Sequence, residues 1–169
     1  MDIIIRQQLT LFVDRKYSHE IEYVRSLYNS KQHALIDSHV TLCREDEIQN
    51  SEAIFNNLKQ LEASKIIIRF GQVKRFDNGR GVMLPAFGDN EQYHLLRSKV
   101  LNNSGASVRK PEPHITLMHP RNSNCTDSIF SDIQKINFPT HLEFHTISLI
   151  QQINGGQWEV MKTFNLNFS

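Results

Sequence analysis

The chain has 169 residues, of which 39% are hydrophobic and 22% charged. That is long enough to bury one full core or two small lobes sharing one, and too apolar for disorder. Its 19 lysines and arginines face 18 acidic side chains, a net charge of +1, which argues against gripping duplex DNA by phosphate neutralisation and leaves short or mononucleotide ligands open.

Residues Leu9 to Val13 read as a strand, which Ile3 to Ile5 extend or precede. Ser18 is placed to cap a helix from His19 to about Tyr28, with Ile21, Val24, Leu27 and Tyr28 on one stripe. Residues 29–37 read as a polar loop, and Val40 to Cys43 as a strand. Ser51 then reads as the N-cap of a helix through Ala63. The β-branched run Ile66 to Val73 predicts a long strand, turned by Asp77-Asn78-Gly79 into a partner over Gly81 to Phe87. Asp89 is the expected cap of a helix burying Tyr93, Leu95, Leu96, Val100 and Leu101. A loop from Asn102 to Pro113 carries Arg109 and Lys110, and Ile115 to Met118 form a strand stopped by Pro120. Thr126 or Asp127 opens a helix through Ile136. Two long strands, Leu142 to Ile153 and Trp158 to Leu166, turn at Asn154-Gly155-Gly156 and close the chain. No linker or low-complexity tract divides it, so residues 1–169 read as a single α+β domain.

One four-residue pattern occurs twice. His39-Val40-Thr41-Leu42 is repeated 75 positions on (39 to 114) as His114-Ile115-Thr116-Leu117. Successive side chains of a strand point to opposite faces. His39 and Thr41 therefore share one face, as do His114 and Thr116, while the aliphatic residues take the other. Each copy precedes a predicted helix and a predicted hairpin. A lone His-x-Thr in a strand is ordinary surface polarity; the doubled pattern in matching surroundings marks a site of two imidazoles and two hydroxyls. His145-Thr146-Ile147-Ser148 is excluded, because its threonine falls on the opposite face from its histidine.

Competing chemistries lack their residues. Two histidines can ligate zinc, but a catalytic zinc site usually takes three protein ligands, and no His-Glu-x-x-His or Cys-x-x-Cys is present. His119 points away from His114 if the strand stays regular that far. Cys43, four residues after His39, is too far along a strand to pair with it; it reads as a small filler, and both Cys43 and Cys125 are expected as free thiols. There is no Gly-x-Ser-x-Gly elbow and no glycine-rich phosphate loop. Arg44, Lys110 and Arg121 flank the motifs and are candidates to hold phosphate. Phe12, Tyr17, Phe76 and Phe87 are candidates to stack a base, although such residues are more often core.

The two motifs, with Pro113 before the second copy and the order of elements over nearly the whole chain, resemble the 2H phosphoesterase superfamily, also described as LigT-like or 2′-5′ RNA ligase-like. The resemblance implies a bilobal, pseudo-two-fold α+β fold with two antiparallel β-sheets lining a central cleft and helices packed outside. It implies a phosphodiesterase acting on 2′,3′-cyclic phosphates or 2′-5′ phosphodiester bonds of nucleotides or RNA ends, with no metal and no cofactor. His39 and His114 are the expected acid/base pair, and Thr41 and Thr116 the phosphate-holding hydroxyls. A non-catalytic nucleotide- or RNA-end-binding module with the same cleft is the alternative. The start Met1-Asp2-Ile3-Ile4-Ile5 lacks a signal-peptide pattern and no run reaches membrane-span length, so a cytoplasmic monomer without membrane contact is expected.

Overall fold

A computed structural model describes residues 1–106 and 109–167. Strand β1 (Ile5–Phe12) starts earlier than its predicted Leu9. The alternation that buries Leu9 and Leu11 runs back through polar residues, and Gln8 Nε2 donates to Thr10 Oγ1 on the shared face at 2.9 Å. Helix α1 (His19–Tyr28) has the predicted bounds and buries Ile21, Val24 and Arg25. Ser18 stands at its N-cap but makes no capping bond. Leu27 is exposed, since it falls off the stripe that Ile21, Val24 and Tyr28 define at 100° per residue. The predicted loop 29–37 contains a second helix, α2 (Ser30–Leu35), too short and polar to show an apolar period.

Strand β2 (His39–Cys43) carries the first motif and runs antiparallel to β1, with Thr10 opposite Thr41 and Phe12 opposite His39. Helix α3 (Ser51–Lys59) is capped by Asn50 and not by Ser51, which is its first helical residue; Asn50 Oδ1 accepts from the Ala53 amide at 3.2 Å, and the helix ends short of the predicted Ala63. The run predicted as one strand to Val73 splits. Its first part is β3 (Ile66–Arg69); the hairpin at Asp77-Asn78-Gly79 joins β4 (Lys74–Phe76) to β5 (Gly81–Pro85). All three turn residues have positive φ, which the Asn-Gly type of turn accommodates.

Helix α4 (Glu91–Val100) has Asn90, not Asp89, at its N-cap, with φ 54. Asp89 still accepts from the Glu91 amide at 3.3 Å. Leu95, predicted as buried, is exposed, because Tyr93, Leu96 and Val100 set the buried stripe and Arg97 joins it. Strand β6 (His114–Met118) carries the second motif. Thr126 caps α5 (Asp127–Gln134), its Oγ1 accepting from the Ile129 amide at 3.2 Å. The predicted strand Leu142–Ile153 breaks at His145 into β7 (His141–Phe144) and β8 (Thr146–Ile153), and β9 (Glu159–Asn165) follows.

The strands form a seven-stranded antiparallel sheet, β4-β5-β6-β2-β1-β8-β9, and a two-stranded one, β3-β7. The α+β class and its antiparallel sheets are those expected. The motif strands β2 and β6 are central neighbours, flanked by β1 and β5, then by β8 and β4. The halves are interleaved: the closing hairpin β8–β9 does not stay beside β6 but pairs with β1 from the start of the chain. Val40 and Ile115 meet across the β2–β6 seam, both fully buried. Each contributes about 1.5–3 kcal/mol of apolar burial at the seam that joins the two motifs. Among the described residues no helix is long and apolar enough to cross a membrane.

Candidate active site

The two motif strands share one burial pattern. The histidine and threonine are half-buried, and the intervening aliphatics Val40, Leu42, Ile115 and Leu117 are at most 1% exposed. With Val40 opposite Ile115 in an antiparallel pair, one step along the register sets Thr41 beside His114, and one step back sets His39 beside Thr116. The two histidines therefore lie on a diagonal, which in a regular ladder spans roughly 7–8 Å. All four side chains line one pocket of about 180 Å³.

The imidazoles are held alike. His39 Nδ1 lies 2.8 Å from the carbonyl oxygen of Asp37, and His114 Nδ1 lies 3.0 Å from that of Glu112. In both cases the partner is two residues back. A carbonyl oxygen can only accept, so each Nδ1 carries the hydrogen and each neutral ring presents Nε2 as a base. Burial depresses the His39 pKa most; the Asp37 carbonyl opposes this, and the nearby charges of Arg25 and His114 lower it further, to about 4. His39 is therefore neutral at neutral pH.

The pocket holds residues that the sequence did not single out. Arg6, Arg25, His119 and Trp158 line it, with Gln8 and Gln32. Arg25 is buried on α1, where it donates to Glu22 at 2.5 Å and to the Ile36 carbonyl at 2.6 Å. Arg6 lies over the Trp158 ring at 5.3 Å and donates to Glu45 at 3.3 Å. Arg6 and Gln8 had a signal: they continue the polar face of β1 that ends beside His39. Arg25 had none, since a basic residue on a helix reads as solvated. His119 also departs from expectation. The strand stops at Met118, and His119, in the turn that follows, lines the pocket.

Of the three candidate phosphate holders, Arg121 lines this pocket. Arg44 faces a wider adjoining groove of about 700 Å³ and is bonded to Asp46 at 3.1 Å, while Lys110 lines neither space. Thr41, His114, Arg6 and Gln8 border both the pocket and the groove, so the two are continuous. The candidate stacking residues do not line either space. Phe12 packs edge-on to His39 at 6.1 Å, Tyr17 and Phe87 are exposed on the surface, and the Phe76 ring lies over Gly81. His145 sits on the surface, bonded to Glu143 at 3.2 Å, and takes no part. Cys43 and Cys125 are buried free thiols, and burial raises that of Cys43 to about 12. Among the described residues no three His, Cys, Asp or Glu side chains group as a metal site.

A second cluster supports the groove wall. The Glu47 carboxylate is buried between Arg97, at 2.8 and 3.1 Å, and Arg109, at 3.2 Å. Burial raises its pKa, but hydrogen bonds from Arg97, the Arg44 amide and Arg109 outweigh this and set it at about 2. Arg97 also donates to the Leu42 carbonyl at 2.6 Å, and the hydroxyl of Tyr93 donates to the Thr41 carbonyl at 2.8 Å, so α4 fixes the backbone of the first motif.

Comparison with known proteins bears on the fold and the family. No curated protein sequence matches the chain. Among solved structures, apo LigT of E. coli superposes with a TM-score of 0.67 at 14% identity, covering 96% of this chain and 97% of that one. E. coli LigT complexed with phosphate gives 0.64 at 15% identity over the same shares. A structure described as a phosphoesterase gives 0.67 at 14% identity, covering 97% and 99%. At such identities these likenesses concern the fold. The family model for the 2′-5′ RNA ligase superfamily matches residues 13–156, which include both motif strands, and the chain therefore belongs to that superfamily, the 2H phosphoesterases.

Proposed function

We propose that the protein is a phosphodiesterase of nucleotides or RNA ends, opening 2′,3′-cyclic phosphates or cleaving 2′-5′ phosphodiester bonds by acid/base catalysis between His39 and His114. The observation that carries this is the matched pair of carbonyl clamps, which leaves two imidazole Nε2 atoms for one small pocket with arginines around it. A phosphate in that pocket meets a base, an acid and hydroxyl donors together.

His39, neutral and depressed in pKa, takes the base role. Its Nε2 accepts a proton from water as the water oxygen bonds to phosphorus. The bond from phosphorus to one ribose oxygen breaks on the opposite side. His114, protonated on Nε2, gives its proton to that oxygen. His39 has then gained one proton and His114 lost one, and exchange with solvent restores both. Each transfer contributes on the order of 10²–10⁴-fold. Thr41 and Thr116 donate to the non-bridging oxygens, and their β-branched side chains are stiff enough to hold that direction. Arg25, its guanidinium paired with Glu22, lies close enough to disfavour a charged His39.

The test is turnover of 2′,3′-cyclic mononucleotides, ADP-ribose 1″,2″-cyclic phosphate and 2′-5′ oligoadenylates with EDTA present. Wild-type protein is expected to turn over at least one, and His39→Ala and His114→Ala each to lose about 10²–10⁴-fold in kcat while remaining folded by circular dichroism. Saturable binding without turnover in the wild type would instead show a binding module. Full activity in either variant would remove the acid/base assignment.

A further inference from the structure

The two motifs are alike for four residues and then diverge in what they send toward the site. Five positions after His39 stands Arg44, turned to the outer groove and bonded to Asp46. Five positions after His114 stands His119, which lines the inner pocket beside both motif histidines. Its ring is held in the opposite sense from theirs. His119 Nδ1 lies 3.1 Å from the backbone nitrogen of Arg121. An amide N–H can only donate, so this Nδ1 is the acceptor, and a neutral ring must carry its hydrogen on Nε2. The pocket thus holds two histidines whose Nε2 is a base and a third whose Nε2 is an N–H donor.

The mount of His119 is rigid. Its own amide donates to Asn29 Oδ1 at 2.7 Å, and Asn29, 2% exposed at the end of α1, donates in turn to Asn122 Oδ1 at 2.8 Å. Gln32 Oε1 accepts from Asn122 Nδ2 at 2.9 Å. A chain of three amide side chains therefore fixes the turn that follows β6. The groups that influence the ring agree with a neutral donor. Burial and Arg121 lower its pKa, against a smaller opposing influence of Asp77.

Building on the phosphodiesterase reading, we infer that His119 is a further catalytic residue, donating its Nε2–H to a non-bridging phosphoryl oxygen. It does not exchange protons with the substrate. It has a role like that of the two threonines, but from the β6 side only, and so it breaks the symmetry between the motifs. A donor aimed at charge that grows in the transition state lowers the barrier more than it tightens substrate binding.

The test uses the full chain with His119→Leu and His119→Gln. Glutamine places its side-chain nitrogen near the position of Nε2 and donates, whereas leucine keeps volume without a donor. His119→Leu is expected to lose on the order of 10²-fold in kcat with KM nearly unchanged, and His119→Gln to recover to within a few-fold of wild type. Unchanged kcat in His119→Leu, or equal loss in both variants, overturns the assignment. A second measurement needs no turnover. In ¹⁵N spectra of histidine-labelled wild type, His119 is expected in the Nε2–H form, opposite to His39 and His114, and its signal to move as inorganic phosphate is added. An Nδ1–H tautomer, or no response to phosphate that shifts His39 and His114, overturns it as well. If no cyclic or 2′-5′ substrate is turned over, the phosphodiesterase reading fails and the catalytic role of His119 with it, while the spectra still decide whether its Nε2–H donates to a bound phosphate.

Discussion

At the residue scale, the first motif histidine is tuned by its surroundings. Burial, reinforced by the nearby Arg25 guanidinium, holds His39 near pKa 4, below the roughly 6.5 of a free imidazole. The kcat/KM profile of the free enzyme reports this group directly. In the proposed role of base His39 must be neutral, so activity is expected to persist as pH falls through 6.5 and to decline only toward about 4. A pH–rate profile checks this; an acid limb near 6.5 would contradict His39 as the base. Stability has a matching sign. Between the unfolded and folded pKa values the unfolded chain binds the extra proton, so this group costs stability as pH falls from about 6.5 to about 4 and costs nothing above. Replacing Arg25 by Met removes one of the charges that hold the value down, and the acid limb is expected to move up.

At the scale of elements, the site depends on how α4 grips β2. Arg97 and Glu47 are each 4% exposed in their side chains, and Arg97 also satisfies the Leu42 carbonyl. Removing one member of a buried ion pair leaves an uncompensated charge and costs about 3–5 kcal/mol, whereas replacing both with packed apolar groups can be nearly neutral. Glu47→Ala is expected to destabilise by about that amount in urea unfolding, and the double change Glu47→Leu, Arg97→Met by less. Low pH mimics the single change. Glu47 titrates at about 2 when folded against an ordinary 4.5, so its contribution is present above about 4.5 and is lost as pH falls toward 2. None of this network was legible in the sequence, because an arginine at a buried helical position reads as solvated until its carboxylate, 50 positions away, is brought to it. The motif strands were legible for the opposite reason: alternation is local, and His39-Val40-Thr41-Leu42 and His114-Ile115-Thr116-Leu117 each carry it whole. The strand breaks were not. Nothing between Phe144 and Thr146 interrupts a β-prone run, and the break exists because β7 pairs with β3 while β8 pairs with β1. Helix α2 was hidden by its length and polarity, and the turn after β6 that brings in His119 depends on Asn29, 90 positions earlier.

At the scale of the whole molecule, the arginines around the pocket and the groove are mostly paired with carboxylates. Of those that line the pocket with the two motif histidines, Arg25 is bonded to Glu22 and Arg6 to Glu45, while Arg121 makes no ion pair among the described residues. In the outer groove Arg44 is bonded to Asp46, Arg109 to Glu47 and Arg6 to Glu45, with Glu112 on the same wall. The net charge of +1 leaves no further field to draw in a long polyanion. On the proposed function, a substrate is then expected to be gripped at one phosphate, or two, with the remaining chain of an RNA running past neutralised groups. Counterion release scales with the phosphates neutralised, at a log–log slope of about −0.7 per contact for single strands. The salt dependence of kcat/KM is therefore expected to be shallow, between about −0.7 and −1.4, and nearly the same for a dinucleotide and a ten-residue oligonucleotide with the same reactive end. Titrating salt against both substrates measures it. A slope of about −3 or steeper for the longer RNA alone would show that a face outside the two cavities binds the phosphate backbone.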